Sequence, residues 1–251
     1  MADAPLILSL ETATLGGNVW LGRGKFQLAA RNGDPQVSQS NSLLSDINDC
    51  LAEAEVSLTD VDMLACASGP GSFTGLRIGI ATLKALAATL NRPCVGIPTL
   101  HAVAHSAGSS MATVALLPAG RGELFTQMFS VSSVDGDSLV SPIDAAAHLS
   151  PQKLLERYGM TTELRWAGSG AHLQRAAIET AALERGIPFD TSLTGSASAN
   201  GNRGWVLAAN AGNLAMHVAA LALQAYTKGQ MQRSDELRAI YVRPSDAELA
   251  K

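Results

Sequence analysis

The chain has 251 residues, of which 47% are hydrophobic and 16% are charged, and its formal net charge is −4. This length and apolar content are enough to bury a core, and they exclude an intrinsically disordered chain. The acidic balance argues against a protein that binds nucleic acid unaided, since such proteins usually present a basic surface.

The first hundred residues predict alternating strands and helices. Short apolar runs predict strands at 6–10, 18–21, 25–30, 62–68 and 94–97. Apolar residues spaced three and four apart predict helices at 38–54, 73–90 and 99–107. This alternation is typical of an α/β protein.

A Gly-Ser-Ser step at 108–110 is a boundary signal, and a similar pattern follows it. The later elements are strands predicted at 112–117, 123–131 and 164–167, and helices at 151–158 and from 171 onward. We therefore expect two similar halves, residues 1–108 and 109–251, and the last helix could pack back on the first half.

An uncharged stretch at 205–227 is long enough to imitate a membrane span, which needs about 18 apolar residues. Asn210, Asn213, His217 and Gln224 interrupt it at helical spacing, which predicts a mostly buried helix with a narrow polar face. The N-terminus also lacks the pattern of a signal peptide. We expect a cytoplasmic protein without a membrane partner.

The three cysteines and two of the histidines are candidate metal ligands by residue type. Cys50, Cys66 and Cys94 are far apart and odd in number, which predicts free, buried thiols. His101 and His105 are four residues apart, a spacing that can hold a metal, but no third ligand lies near them in the sequence. We expect no metal site, and surface or capping roles for both histidines.

Residues 68–79 carry the densest signal, Ser-Gly-Pro-Gly-Ser-Phe-Thr-Gly-Leu-Arg-Ile-Gly, between a predicted strand and a predicted helix. Such a turn can present backbone N–H groups to an anion. It lacks the Gly-Lys-Ser/Thr ending of a P-loop, and a tight turn with Ser72 or Thr74 as helix N-cap explains it equally.

Glycines recur every fourth residue in this segment, at Gly71, Gly75 and Gly79. A glycine inside a helix costs about 1 kcal/mol relative to alanine, so its presence suggests that another backbone comes close. Two explanations stay open: the small-residue face packs inside the chain, or it docks a partner chain.

At this motif the sequence closely resembles the TsaB (YeaZ) family, whose pattern is matched in full by Gly69 to Gly79. Further similarities lie at 6–14, 93–100, 121–125 and in Tyr241-Val242-Arg243. The resemblance implies an actin-like, sugar-kinase-like (ASKHA) architecture of two ribonuclease-H-like halves.

The resemblance also implies a function and partners. The family serves in the synthesis of N6-threonylcarbamoyladenosine (t6A) at position 37 of tRNA, where it forms a homodimer that can exchange for a heterodimer with the catalytic paralogue TsaD. The ATPase TsaE joins these subunits, and the family protein contacts tRNA only indirectly. The pairing is expected to use the helices at 38–54 and 73–90, with candidate interface residues Leu44, Ile47, Leu51, Gly75, Leu76, Gly79 and Leu83. The family motif loop comprises Gly69, Pro70, Gly71, Ser72, Phe73, Thr74 and Arg77.

Departures from nucleotide-binding relatives bear on chemistry. Glu11 stands where the family usually has aspartate, and Ala13, after Thr12, stands where actin-like ATPases need a glycine beside phosphate. Pro118 stands where such relatives use an aspartate, and Gln39 where the family often has histidine. We therefore expect no catalytic residue and no cofactor on this chain, with ATP and metal on the partner subunits.

The favoured hypothesis is a non-catalytic subunit that supports a TsaD-like enzyme. The alternative is an autonomous ATPase or kinase of the same fold, suggested by the Gly-rich turns at 69–71 and 168–170. An M22-type peptidase is disfavoured, because Ser72 does not lie in a Gly-x-Ser-x-Gly elbow.

Overall fold

The computed structural model describes residues 4–134, 136–191 and 204–242 and contains two β-sheets with helices. The helices of these residues are α1 (Gln39–Glu53), α2 (Phe73–Leu90), α3 (Thr99–Ser106), α4 (Pro151–Tyr158), α5 (Ser169–Leu173), α6 (Arg175–Glu184) and α7 (Leu214–Thr227), with one 3-10 turn at Leu58–Asp60. The strands are β1 (Leu6–Glu11), β2 (Asn18–Arg23), β3 (Phe26–Asn32), β4 (Met63–Gly69), β5 (Cys94–Pro98), β6 (Ser110–Gly120), β7 (Glu123–Val134), β8 (Asp137–Pro142), β9 (Ala147–Leu149), β10 (Leu164–Ala167), β11 (Phe189–Asp190) and β12 (Trp205–Leu207).

The described residues group into two compact units. The first unit combines the chain up to Ala102 with Asn213–Tyr241, and the second contains Val103–Gly212. The boundary comes at 102 instead of 108, and 213–241 returns to the first unit, as the sequence analysis allowed for the last helix. The return has a physical cause, since α7 packs against β1, β2, β4 and β5.

The sheet of the first unit has the order β3-β2-β1-β4-β5. Its first three strands are antiparallel, whereas β4 and β5 run parallel to β1. Every residue of β1 and β4 is buried, which explains their nearly continuous apolar sequences.

The core of the first unit lies between β1 and the first two helices. It joins Leu6, Leu8 and Leu10 with apolar side chains of the helices, namely Leu43, Ile47 and Leu51 of α1 and Ile80, Leu83 and Ala87 of α2. All three cysteines are buried and free, as predicted, and belong to this core.

The sheet of the second unit has the order β11-β12-β10-β6-β7-β8, with β9 paired to β7. β6, β7 and β8 are antiparallel, and β10 runs parallel to β6. Each sheet thus places an antiparallel three-stranded meander beside parallel strands, which confirms two similar α/β halves. The core of this unit contains Trp166 and Trp205, packed edge to face with ring centroids 5.1 Å apart.

The uncharged stretch at 205–227 is not one helix, and that prediction is wrong. Trp205–Leu207 forms β12, and the helix begins only at Leu214. Trp205 and Leu207 lie on β12 and belong to the core of the second unit, so their apolar character reflects the burial of a strand. Among the residues that the structure describes, α2 is the helix long and apolar enough to cross a membrane, and 33% of it is buried.

Residues 230–241, which we name the C-terminal strap, run along the first unit beside β5 and β4. Gln232 forms an antiparallel bridge with Cys94, and the Leu237 side chain is only 1% exposed. Near its end the strap donates from Ile240 N to the carbonyl oxygen of Ser68 at 2.7 Å. Tyr241 completes the strap, and Arg243 of the family's closing motif lies outside the described residues.

Asn213 anchors α7 to the edge of the first sheet. Its side-chain oxygen accepts from Met216 N at 3.2 Å as the N-cap, and its amide donates to Asn32 Oδ1 at 2.9 Å and Arg31 O at 3.1 Å. Asn18 adds an acceptor for Leu214 N at 2.9 Å. One side chain therefore joins a helix cap to two strand ends.

Replacing Asn213 by alanine should lower the free energy of unfolding of the first unit by about 2 kcal/mol, because it removes a cap and leaves strand acceptors unpaired. Urea denaturation monitored by circular dichroism measures the change. The control is Asn210→Ala, at an exposed position of the preceding loop, which should cost less than about 0.5 kcal/mol. Equal effects of the two substitutions would contradict the anchoring role.

Candidate functional site

The motif loop connects the end of β4 to the start of α2. Gly69 has φ +115°, a conformation that side chains rarely adopt, and the Gly69–Pro70 peptide bond is cis. The backbone N–H of Gly69 donates to Thr99 Oγ1 at 3.1 Å. Ser72 caps the helix, since its Oγ accepts from Gly75 N at 3.2 Å. The Ser72 hydroxyl thus has a structural task at the helix N-terminus.

The motif loop lies directly against the loop that follows β1. Ser72 N donates to the Ala13 carbonyl oxygen at 2.8 Å. A Cβ added to Gly71 would lie 2.5 Å from that oxygen and 2.6 Å from the Ala13 methyl group. Because a side chain at position 71 would overlap Ala13, Gly71 is needed for close packing between the two loops.

The glycine face of α2 packs inside the chain, which corrects the assignment of Gly75 and Gly79 to a partner surface. A Cβ at Gly75 would overlap the Thr12 carbonyl oxygen, and one at Gly79 would overlap Thr12 Oγ1. Thr12 is 1% exposed. The helix accepts the cost of these glycines so that the loop after β1 can approach its axis.

Most of the other predicted interface residues are buried as well. Ile47, Leu51, Leu76 and Leu83 are at most 7% exposed and lie in the interior of the first unit. These side chains are used in packing within the unit, which disagrees with their assignment to a partner surface. Leu44, at 60% exposure, is the predicted interface residue that remains on the surface.

The exposed sides of α1 and α2 nevertheless carry apolar and small side chains, and the two helices contact each other. Leu44 lies on the exposed side of α1, and Arg77, Ala81, Ala85 and Ala88 lie on the exposed side of α2. We name these five residues the α1–α2 face. The small alanine side chains of α2 leave its backbone accessible, so a neighbouring helix can pack closely against it.

Glu11 is fully buried at the end of β1 and hydrogen-bonds within its own loop. Its carboxyl oxygens accept from Thr14 N at 2.8 Å and from the Thr14 hydroxyl. Burial raises the pKa of Glu11, and the hydrogen bonds from Thr14 oppose this only in part. The carboxyl is therefore enclosed in the protein and already used as a hydrogen-bond acceptor within its own loop.

Gln39 ties three segments together at the start of α1. Its Nε2 donates to the Thr14 carbonyl oxygen at 2.9 Å. Its amide also limits the space beside Gly17 and Gly75, where an added Cβ would lie 2.9 Å and 2.7 Å from its atoms. The side chain thus occupies the space between the loop after β1 and the first turn of α2.

At this loop the space in front of α2 is occupied by side chains of the first unit itself. Ala13 places a methyl group against Gly71, and its carbonyl oxygen is used by Ser72 N. Thr12 fills the glycine face of α2, and Gln39 fills the remaining space. Three backbone N–H groups of this turn, those of Gly69, Ser72 and Gly75, donate to acceptors within the chain.

The remaining candidates lie elsewhere. In the second unit Pro118 is exposed near the end of β6, opposite Leu124, and supplies no acidic group. Burial lowers the pKa of His101 and of His105. Within the described ranges no group of three or more His, Cys, Asp or Glu side chains could hold a metal ion.

Comparisons with known proteins support the resemblance. The family model "TsaD: tRNA N6-adenosine threonylcarbamoyltransferase" matches residues 36–236. The chain is 33% identical over 127 residues to the tRNA threonylcarbamoyladenosine biosynthesis protein TsaB of Escherichia coli, covering 47% of this chain and 52% of the relative. It is 35% identical over 102 residues to TsaB of Haemophilus influenzae, covering 40% and 42%. The chain thus spans about half the length of the curated relatives it matches.

A solved structure from Pseudomonas aeruginosa, described as an uncharacterized protein with similarity to peptidase YEAZ, superposes with a TM-score of 0.72 and 24% identity. The superposition covers 95% of this chain and 100% of that one. With the two similar sheets, this defines the class: an actin-like, ASKHA-type protein of ribonuclease-H-like halves. The chain belongs to the family of the matching TsaD model, and it is similar to the TsaB proteins of E. coli and H. influenzae.

Two features of the site were missed by the sequence analysis. The contacts of Gln39 with Thr14 and Gly75 join residues 25 and 36 positions apart, which local patterning cannot reveal. The strap residue Tyr241 stacks on Phe73 of the motif loop with ring centroids 5.4 Å apart. The family match at 241–243 was the one available signal for this contact, and it carried no indication of the neighbour.

Replacing Gly79 by leucine should destabilise the isolated chain by about 3 kcal/mol or more, because the new side chain overlaps Thr12. Denaturant unfolding measures the loss. The matched control is Ala81→Leu, which adds the same side chain on the exposed side of α2 and should change stability by less than about 0.5 kcal/mol. If Gly79→Leu kept full stability and lost only self-association, the glycine face would be a partner surface after all.

The Glu11 carboxyl should make stability fall as the pH rises. Above the ordinary carboxyl pKa of 4.5, the unfolded chain releases this proton while the folded chain retains it, until the raised folded pKa is reached. Glu11→Gln abolishes this titration, so its stability relative to the wild type should improve with pH, by up to about 1.4 kcal/mol per pH unit. Urea unfolding of both proteins between about pH 5 and about pH 8 tests this. Asp49→Asn, on the exposed side of α1, controls for the loss of one negative charge, and a constant difference between wild type and Glu11→Gln would refute the prediction.

Proposed function

We propose that this chain is a non-catalytic subunit of the machinery that makes N6-threonylcarbamoyladenosine at position 37 of tRNA, where it binds and activates a TsaD-like catalytic subunit. The name of its E. coli relative supports the pathway, and the match to the TsaD family model supports kinship with the enzyme. The proposal assigns the chemistry to the paralogue and a docking role to this chain.

The observation that carries the proposal is the packing of the loop after β1. Thr12, Ala13 and Gln39 fill the space in front of α2. Glu11, the acidic group of this loop, is fully buried and hydrogen-bonded to Thr14. A loop filled by its own side chains favours a structural role over phosphate chemistry, because phosphate binding requires free backbone N–H groups.

The docking role rests on the α1–α2 face. Leu44 is 60% exposed, and the alanines of α2 leave its outer side narrow. An exposed leucine on α1 and small exposed residues on α2 each suit a helix–helix contact, in which close approach improves packing. The same face would serve a homodimer, so the homodimer and the pair with the TsaD-like subunit would exclude each other.

The proposal extends to the other components. A TsaE-like ATPase would join the complex, tRNA would be contacted mainly through the partner, and ATP and metal would bind the partner subunits. The complex would work in the cytoplasm. The net charge of −4 supports an indirect role in tRNA binding, since phosphate contacts need clustered cations.

The rival function is an autonomous ATPase or kinase. Isothermal titration calorimetry of the isolated chain with ATP and Mg²⁺ distinguishes the two, because the filled loop should allow no binding at submillimolar concentration. Tight binding accompanied by ATP turnover would replace the proposed function by the rival.

Introducing a charge at Leu44 should weaken the complex with the TsaD-like subunit of the same organism. Leu44→Glu buries a carboxylate in the proposed contact and is expected to raise the Kd on the order of tenfold or more, about 1.4 kcal/mol. Co-purification followed by calorimetric titration measures this. Leu183→Glu is the matched control, since Leu183 is an 80%-exposed leucine in the second unit. The docking role is lost if the wild-type chain forms no complex at micromolar concentration and t6A persists in cells lacking the gene.

A further inference from the structure

At the N-terminal end of α2, a guanidinium and two aromatic rings from two segments of the chain are in contact. The guanidinium carbon of Arg77 lies 3.8 Å from the centroid of the Phe73 ring. The Phe73 ring in turn lies 5.4 Å from the Tyr241 ring at an interplanar angle of 40°. Phe73 is 37% exposed and Tyr241 49%, and Arg77 is exposed. We name these three residues the Arg77 stack.

The guanidinium of Arg77 is oriented but not neutralised. Among the residues that the structure describes, its contact is with the Phe73 ring, and no carboxylate or carbonyl oxygen accepts from it. Stacking fixes the plane of the guanidinium and leaves its N–H edge available, which is the geometry for a bidentate bond to an anion. Part of the entropy that an arginine side chain loses on binding has therefore already been lost.

The C-terminal strap positions Tyr241, the third member of the Arg77 stack. Ile240 N donates to Ser68 O at 2.7 Å, and buried Leu237 anchors the preceding turn. These contacts hold the end of the strap where the Tyr241 ring meets the Phe73 ring. Tyr241 is thus a positioning residue for the guanidinium, since it supports the ring on which Arg77 lies.

The charge pattern favours a protein carboxylate as the anion. α2 contains two cations, Arg77 and Lys84, and no acidic residue. Lys84 Nζ donates to the Leu237 carbonyl oxygen at 3.2 Å, and Arg238 of the strap donates to the same oxygen at 3.0 Å. Of these three cations in the described part of the chain, Arg77 is the one that lies on an aromatic ring. RNA binding needs several cations along a backbone, whereas one stacked arginine beside exposed aromatic rings is typical of protein interface anchors.

We infer that the Arg77 stack is an anchor that recognises a carboxylate side chain on the TsaD-like partner. The inference rests on the proposed function and extends it, because Arg77 belongs to the α1–α2 face and the stack adds Phe73 and Tyr241 at its end. The aromatic rings supply apolar contact area, and the guanidinium supplies direction and register to the contact.

The test measures the affinity of the full-length chain for the purified TsaD-like subunit. Arg77→Gln should raise the Kd on the order of tenfold or more, and Arg77→Lys should recover little, because lysine has neither the planar fork nor the stacking. Tyr241→Ala should weaken binding about threefold to tenfold, and Tyr241→Phe should restore it, since phenylalanine still supports the ring. Arg23→Gln, an exposed arginine at the opposite end of the first sheet, should have no effect.

The outcomes separate this inference from the proposed function. A wild-type complex whose affinity is unchanged by Arg77→Gln overturns the anchor and leaves the docking role intact. Absence of any complex with the wild-type chain overturns both. Arg77→Gln that keeps the protein complex but weakens tRNA binding identifies phosphate as the ligand and overturns the carboxylate. Full recovery by Arg77→Lys refutes stacked, bidentate recognition.

Discussion

The first unit depends on the close approach of α2 to the loop that follows β1. Gly71, Gly75 and Gly79 present no side chains along this contact, and Thr12 and Ala13 fill the space they leave. A glycine helix face is costly in isolation, so the gain must come from tertiary packing. Once the loop is seated, α2 is held against β4, and the start of the motif loop is bound through Gly69 N and Ser72 N.

The same contact explains why this loop suits a docking subunit. In a nucleotide-binding protein the corresponding backbone must remain free to surround phosphate. Here the Ala13 carbonyl, Gln39 and the Glu11 carboxyl are all engaged inside the chain. The rigidity so obtained is useful for binding, because a helix whose inner face is fully packed presents its outer face in one position.

The C-terminal strap adds a second constraint at the same place. It covers the free side of β5 through Gln232 and ends beside the motif loop at Ile240. The unpaired edge of β5 is thereby protected. The strap also completes the aromatic surface at the start of α2, so residues more than 160 positions apart form one exposed cluster.

The amino-acid pattern by itself determined most local structure. The apolar runs of β1 and β4, the bounds of α2 and α4, and the repetition of strands and helices in two halves all follow from short-range periodicity and turn chemistry. The motif at 69–79 also sufficed to suggest the family. Local patterning failed at 205–227, because a buried strand and a buried helix both have apolar, uncharged sequences.

Only the tertiary structure decided which faces are inside. A glycine stripe signals close approach without specifying the neighbour, so the sequence left Gly75 and Gly79 open between internal packing and a partner. The fold assigned them to Thr12 and left Leu44, Arg77 and the alanines of α2 outside. The physical reason is that periodicity records where side chains point around a helix axis, whereas the identity of what they meet depends on chain segments that are distant in sequence.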